Sequence, residues 1–142
     1  MDERKYDISF HGIDIIEKSL VQTVIGPNQV FNFDLTVNSS VNAEQELIII
    51  FVLVGIRKAD EKTNIGTLHI GCAFKINNFK KEVKPGIKTP YIIPTGIEPM
   101  LRTTAISTMR GILFSEFRGT QLHTAILPII LEDSLKPIAQ RK

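Results

Sequence analysis

The chain has 142 residues, 43% of them hydrophobic, so it is long enough to bury one core, and we expect a single domain over residues 1–142. Its 17 basic and 15 acidic residues leave a formal net charge of +2, and the basic residues are scattered along the chain, which argues against a nucleic-acid partner. The longest apolar run, Leu47 to Val54, is far shorter than the roughly 20 residues of a membrane-spanning helix, so no membrane insertion is expected.

Two segments near the N-terminus are predicted to be strands. Tyr6 to Leu20 begins like a strand, although its apolar residues then follow no decisive period. Val30 to Asn38 alternates apolar and polar residues one by one, which is typical of a strand with one buried face. Because Ser39, Ser40 and Asn42 are turn-forming residues, we expect the chain to turn directly after this strand.

The next predicted strand, Leu47 to Ile56, is apolar on both faces. It is rich in β-branched residues, and neither set of alternating side chains is polar. Ala59 to Asn64 is typical of a hairpin connection, and Ile65 to Ile76 predicts a strand with one apolar face and one small or polar face. Since an antiparallel strand commonly has one solvated face, the second face of Leu47 to Ile56 needs a cover. A second subunit, the N-terminal segment and a bound ligand are the three alternatives.

A proline-containing stretch separates the strands from a predicted helix. Lys80 to Pro94 contains several prolines, which lack a backbone donor, so we expect neither a sheet nor a helix to run through it. From Ile97 to Arg118 the apolar residues recur at helical spacing, with Thr95 as the expected N-cap and Gly119 placed to end the helix. Strands followed by a helix predict an α+β domain in which the helix packs on one face of the sheet.

Four stretches of the chain carry a resemblance to a known family. They are Val30 to Phe79, Pro90 to Pro94, Thr108 to Thr120 and Ile126 to Ile130. The first is similar to two long antiparallel strands with a charged hairpin, followed by a strand with a glycine and a phenylalanine near its end. The others are similar to the lead into a long helix, the end of that helix with its Arg-Gly turn, and an apolar segment around a proline. Together they resemble the SecB family of export chaperones and its divergent relatives, over Tyr6 to Leu135.

The resemblance implies both a fold and a function. The fold would be a four-stranded antiparallel sheet, a meander with a long crossover, packed by one long helix in the C-terminal half. Subunits would assemble as a dimer of dimers, a homotetramer, and would hold unfolded or precursor polypeptides without ATP, as in protein export. The family's export chaperones have an acidic tail that engages the SecA motor, whereas this chain ends in Gln140-Arg-Lys142, which argues against SecA docking. The alternative is a dedicated chaperone or partner-binding module for one client, such as an antitoxin or a secreted effector.

The resemblance also places client-binding candidates in the crossover between the first two strands and on the helix face that borders it. They are Phe10, Ile15, Ile16, Leu20, Val21, Val24, Ile25 and Phe31, with the two phenylalanines as aromatic walls. The alternative for each residue is burial in the core, where large apolar side chains usually lie. The stretch from Val21 to Ile25 is the least suited to a core, because it precedes a Gly-Pro-Asn turn signal and loops seldom carry apolar residues without a use.

No catalytic residue, metal site or cofactor is predicted, and we do not expect an enzyme. His69 and Cys72 point to opposite faces of a strand, which argues against a zinc site or a Cys-His pair. A single cysteine fits a reducing compartment, and the charged N-terminus has no signal-type apolar run, so a cytoplasmic location is expected. Arg102, Arg110 and Arg118 recur at regular steps and predict a solvated or subunit-facing stripe on the helix.

Overall fold

A computed structural model describes residues 7–86 and 91–129 of the chain. The elements in chain order are β1 (Ile8–Leu20), β2 (Phe31–Asn42), β3 (Leu47–Lys58), β4 (Gly66–Ile76), α1 (Phe79–Glu82), β5 (Lys84–Pro85), β6 (Tyr91–Ile92) and α2 (Glu98–Glu116). The first four strands form an antiparallel sheet in the order β1-β4-β3-β2, so β1 and β2 are its edges. The predicted α+β fold is confirmed: a four-stranded meander with a long crossover, packed by a helix from the C-terminal half.

One face of the sheet, here called the covered face, forms the core under α2. Alternate residues of β3 from Ile48 to Ile56 have no accessible surface, and the alternate residues of β4 paired with them, Leu68 to Phe74, are also buried. Met109 and Leu113 of α2 are buried against them in the same core. Each such side chain contributes roughly 1.5–3 kcal/mol by leaving water, which makes this face the main source of stability.

β1 is an irregular strand. Its register to β4 shifts between Phe10 and Gly12 and again between Ile15 and Glu17. Each shift inserts a residue and reverses the face that the following side chains take. Phe10 and Ile15 therefore share the covered face although they are an odd number of positions apart, while Ile16 lies on the opposite face. These shifts explain why the sequence of this segment follows no simple period.

The turn between β2 and β3 begins later than the sequence predicts. Ser39 and Ser40 do not turn the chain; they continue β2 in unbroken register with β3. The turn follows instead, where the Asn42 Oδ1 accepts a hydrogen bond from the Gln45 N–H (3.1 Å) and Glu46 adopts a left-handed φ of 56°. Pairing with a long apolar neighbour outweighs the local preference of two serines for a turn, because strand propensity depends on context.

The segment after β4 contains more regular structure than predicted. No described helix or strand runs through Lys80 to Pro94, but α1 extends into it and β5 pairs with β6. These elements are short, and only β5 contains a proline. Pro85 lies in a two-residue ladder at its edge, where a missing backbone donor costs little.

The start of α2 also differs from expectation. Thr95 is not the N-cap; Ile97 occupies that position and makes no side-chain capping bond. The carbonyl of Pro94 accepts hydrogen bonds from the N–H groups of Ile97 (3.1 Å) and Glu98 (3.2 Å), so the backbone itself satisfies donors that a capping side chain usually takes. Beyond the other end of the helix, Gly119 has a φ of 79°, the conformation for which glycine was expected there.

Candidate binding surfaces

The crossover, residues 21–30, runs along one end of the sheet and is fixed to it at both of its own ends. The Val21 N–H donates to the Ile65 carbonyl at 2.8 Å, which extends the β1–β4 ladder by one bond. The Ala59 N–H donates to the Val30 carbonyl at 2.9 Å, which does the same for β2 and β3. These anchors are main-chain bonds and do not depend on side-chain identity.

A side chain from beyond α2 also holds the crossover. The amide of Gln121 donates through Nε2 to the Val21 carbonyl (2.6 Å) and accepts through Oε1 from the Thr23 N–H (3.2 Å). The Lys58 Nζ adds a bond to the Thr23 hydroxyl at 3.3 Å. The first part of the crossover is therefore connected to the sheet and to the helix layer at once.

The middle of the crossover is the most exposed apolar part of the segment. Val24 has 85% of its surface exposed, whereas its neighbour Ile25 packs partly against the core. A turn follows, closed by a hydrogen bond from the Gln29 N–H to the Gly26 carbonyl at 3.3 Å. A valine in this state gains almost nothing from the hydrophobic effect within its own chain, so it remains available to a partner.

The structure divides the eight predicted client-binding residues into three groups. Leu20, Val21, Val24, Ile25 and Phe31 lie in or beside the crossover, Phe10 and Ile15 lie on the covered face of β1, and Ile16 lies on the opposite face. Within one chain Phe10 and Phe31 do not face each other, because they are on opposite edge strands and near opposite ends of the sheet. Binding of a client by any of the eight remains a prediction.

The covered face of β1 is only partly sheltered. α2 packs on β3 and β4, and it reaches β1 at the far end, where the Lys18 Nζ lies 3.4 Å from a Glu116 carboxylate oxygen. Phe10 stacks at 4.8 Å on the Phe74 ring, yet 47% of its surface is exposed, and Ile15 is equally exposed. This edge therefore presents apolar side chains to solvent beside the helix.

The open face, defined by Ile49, Phe51 and Leu53 of β3, carries the second set of apolar side chains that the sequence predicted. All three are half-buried, so neighbouring strands shelter them in part. The Phe51 ring lies 6.0 Å from the ring of His69 and covers Gly71, where a Cβ would stand 3.3 Å from the phenylalanine ring. The sequence was right that both faces of β3 are apolar, and only the covered face is fully packed by the described chain.

α2 and the segment after it expose further large apolar residues. They are Met100, Phe114, Ile126 and Ile129. Phe114 also lines an open cleft of about 470 Å³ at the C-terminal end of α2, together with Arg118 and His123. The Arg110 guanidinium holds the following segment against the helix by donating to the carbonyls of Leu127 (2.8 Å) and Pro128 (2.9 Å).

Arg102 is the residue whose role the sequence missed most clearly. The regular spacing of arginines predicted a solvated or subunit-facing stripe, but Arg102 is only 5% exposed and lies between α2 and the sheet. Its Nη2 donates to the Val37 carbonyl at 3.3 Å, and its Nη1 lies 3.9 Å from a Glu98 carboxylate oxygen. Helical spacing placed it about one turn from Ala105 and Ile106, both buried, which was the available signal.

The described residues contain no group of three or more His, Cys, Asp or Glu side chains arranged to hold a metal ion. Burial on the covered face raises the pKa of the Cys72 thiol to about 11, so the reactive thiolate is disfavoured. No helix within residues 7–86 and 91–129 is long and apolar enough to cross a bilayer.

The fold of the described residues is similar to that of a SecB-like chaperone of known structure. A particular solved structure that shares it is Rv1957 of Mycobacterium tuberculosis, a SecB-like chaperone in complex with a ChAD peptide from the Rv1956 HigA1 antitoxin. The TM-score is 0.60 at 9% sequence identity, and the match covers 87% of this chain and 90% of that one. Neither a family model nor a curated protein matches the sequence. At 9% sequence identity this structural similarity supports a shared fold and nothing further.

Proposed function

We propose that this protein is an ATP-independent holdase that binds unfolded or precursor polypeptides at the crossover. The observation that carries the proposal is the exposed Val24, held between two main-chain anchors at the end of a rigid sheet. An apolar contact that is already positioned avoids part of the ordering cost of binding. Holding an unfolded chain requires such a surface and requires no reacting group, so we do not propose an enzyme.

Binding of unfolded clients by this protein would slow their folding through mass action. A protein that binds the unfolded state and not the native state lowers the concentration of chains free to fold. The expected observation is slower refolding of a denatured test protein when this chain is present in stoichiometric amount. Refolding at the unperturbed rate with this chain in excess would contradict the proposal.

A charged substitution in the crossover tests whether clients bind there. In Val24→Asp a desolvated carboxylate would face any apolar partner, so we expect client affinity to fall about tenfold or more. Because Val24 is exposed, the free energy of unfolding should change by less than about 0.5 kcal/mol. Fluorescence titration with a labelled unfolded client measures the first quantity and urea denaturation the second.

The matched control for this test is Asn28→Asp, which adds the same charge to the same crossover at an exposed polar position. We expect it to retain affinity within about twofold, since no apolar contact is altered. If both variants lose affinity equally, net charge is responsible and the apolar contact is not. If neither does, the crossover is not the site.

A second candidate is a dedicated chaperone for one client, such as an antitoxin or a secreted effector. Two observations favour it: the similar Rv1957 structure holds an antitoxin peptide, and this chain is near neutral in composition. Affinity capture separates the two candidates. One dominant partner in stoichiometric amount supports the dedicated role, whereas many unrelated unfolded chains support the general one.

We also propose that the protein is cytoplasmic and works as a homo-oligomer, a dimer of dimers by its resemblance to SecB. The exposed apolar residues of α2 and its following segment, including Met100, Phe114 and Ile126, support self-association, because burial of exposed large apolar side chains between subunits would be favourable. Multi-angle light scattering that returns a monomer mass at micromolar concentration would contradict the oligomer. The near-neutral composition of the chain does not support docking on SecA.

A further inference from the structure

The ladder between β1 and β4 ends unevenly at the start of the crossover. The Val21 N–H donates to the Ile65 carbonyl at 2.8 Å, and in a regular antiparallel pair the Ile65 N–H would donate back to the Val21 carbonyl. That N–H donates instead to the Ile56 carbonyl at 2.7 Å. The Val21 carbonyl therefore lacks the partner that a continued ladder would have given it.

Gln121 supplies that partner and one more. Its Nε2 donates to the Val21 carbonyl at 2.6 Å, and its Oε1 accepts from the Thr23 N–H at 3.2 Å. A carboxamide carries a donor and an acceptor side by side, as a peptide group does, so this one side chain extends the ladder where β4 no longer can. The backbone of the crossover is thereby fixed as far as Thr23.

The turn after α2 determines where this amide lies. The Thr120 hydroxyl donates to the Phe117 carbonyl at 2.6 Å and accepts from the Leu122 N–H at 3.1 Å. The buried Leu122 side chain packs on Gly66 at the start of β4, where an added Cβ would collide with it. Gln121 is therefore placed at this end of the sheet by contacts that do not involve its own side chain.

Val24 follows directly after the fixed stretch and makes no hydrogen bond of its own. In the part of the chain that the structure describes, neither Val24 nor Ile25 donates or accepts one. Thr23 is held on its N–H by Gln121 and on its hydroxyl by the Lys58 Nζ at 3.3 Å. The bonds at Thr23 and before it therefore set the direction in which Val24 leaves the sheet.

We propose that Gln121 is a positioning residue for client binding, because its carboxamide fixes the backbone that leads to Val24. The inference rests on the proposed function and assigns to that site a residue from the segment after α2. A partner binds more tightly when the group that it contacts is already ordered. Loss of the amide therefore weakens client binding although every apolar contact at the crossover is retained.

An isosteric substitution tests this role. Gln121→Met keeps the length of the side chain and removes both hydrogen bonds, so we expect affinity for a labelled unfolded client to fall about fivefold or more. The matched control is Gln22→Met, the same change at an exposed crossover residue whose side chain makes no hydrogen bond to any described residue. It should retain affinity within about twofold. Equal losses in the two variants overturn the proposal, since a methionine near the site would then account for both.

Amide hydrogen exchange followed by NMR shows whether the effect of the substitution is local. The Thr23 N–H is bonded to Gln121 alone, so in Gln121→Met its exchange should speed up by about fivefold or more. Exchange at Ile50, in the interior strand β3, should change by less than about threefold. Unchanged exchange at Thr23 overturns the proposal, and so does equal acceleration at both residues, because the amide would then stabilise the whole domain without a local role.

Gln121→Glu should make client binding depend on pH. A carboxylate can accept from the Thr23 N–H but cannot donate to the Val21 carbonyl, whereas the protonated acid can do both. Affinity should be reduced at pH 7 and should recover about threefold, relative to the parent protein, as pH falls to about 4, the range in which a glutamate binds a proton. Titration of the parent protein controls for Lys58 and His123, which both proteins contain. A ratio of affinities that stays constant with pH overturns the proposal.

A double variant tests whether Gln121 acts through Val24. When Val24→Asp is already present, adding Gln121→Met should lower affinity by less than about twofold, because the contact that the amide positions is already lost. Losses that multiply independently overturn the proposal. The refolding assay separates this failure from failure of the proposed function: if the parent protein and Gln121→Met slow refolding equally, the protein is a holdase whose site Gln121 does not position.

Discussion

The covered and open faces of β3 are built from the same residue types and differ in what lies on them. Ile48 and Ile50 have no exposed surface beneath α2, whereas Ile49 and Phe51, each one position further along, remain partly exposed. Side-chain hydrophobicity therefore does not decide burial on this strand; the element stacked on each face does. The covered face of β3 contributes to the stability of the domain through burial, while the open face leaves apolar side chains partly exposed to solvent.

The largest expected effect comes from truncation on the covered face. Ile50→Ala removes a completely buried side chain and leaves a cavity under α2. We expect the free energy of unfolding to fall by about 3–4 kcal/mol. Urea denaturation monitored by circular dichroism measures the change, and a loss under about 1 kcal/mol would show that this face is not the core.

The same truncation on the open face is the matched comparison. Ile49→Ala, one position away on β3, should cost about 1 kcal/mol because the side chain is already half in water. The two variants should be measured at several protein concentrations. If the cost of Ile49→Ala rises with concentration to match that of Ile50→Ala, a second subunit covers the open face.

The dependence of stability on pH above 9 tests the burial of Cys72 on the covered face. The pKa of Cys72 is raised by burial to about 11 from its ordinary value of 9.0, so between these pH values the unfolded thiol loses its proton while the folded thiol keeps it. The unfolded state then binds fewer protons, and stability falls as pH rises from 9 toward 11. Urea midpoints across this range should decrease less steeply in Cys72→Ala, and parallel curves would contradict the assignment.

The smallest expected effect lies on the rim of the open face. Asp34 and Arg57 are 3.4 Å apart on neighbouring strands, and the aspartate side chain is 59% exposed. Asp34→Asn should therefore lower the free energy of unfolding by less than about 0.5 kcal/mol. Raising the salt concentration to about 1 M should reduce even that difference, because exposed charges are screened. A difference that persists in salt would point to the hydrogen bond and not to the charge.

Much of the fold could be predicted because its signals are periodic. Alternation identified β2, a run of β-branched residues identified β3, and helical spacing identified α2 before Gly119. The features that the sequence did not predict correctly depend on contacts with residues that are distant in the chain. Ser39 and Ser40 stay in β2 because β3 lies beside them, and the register shifts of β1 arise from its pairing with β4.

The candidate site could be predicted only in part. The apolar crossover was recognisable because Val21 to Ile25 is an apolar stretch that precedes a turn signal. The separation of Phe10 from Phe31 was not, because the sequence does not reveal that β1 pairs with β4 and leaves β2 at the opposite edge. The Arg102 bond to the Val37 carbonyl was missed for a similar reason, since it joins α2 to a strand far away in the chain.

The way the crossover is anchored has a consequence for sequence divergence. Its end anchors, at the Val21 N–H and the Val30 carbonyl, are backbone groups that nearly every amino acid provides, proline being the exception at the first. Val24 lies between these anchors, and its side chain is almost fully exposed and contributes little to the packing of the fold. Mutations there are close to neutral for folding, so selection can alter what this segment binds while the sheet is retained, and chains as different as 9% in identity can keep one architecture.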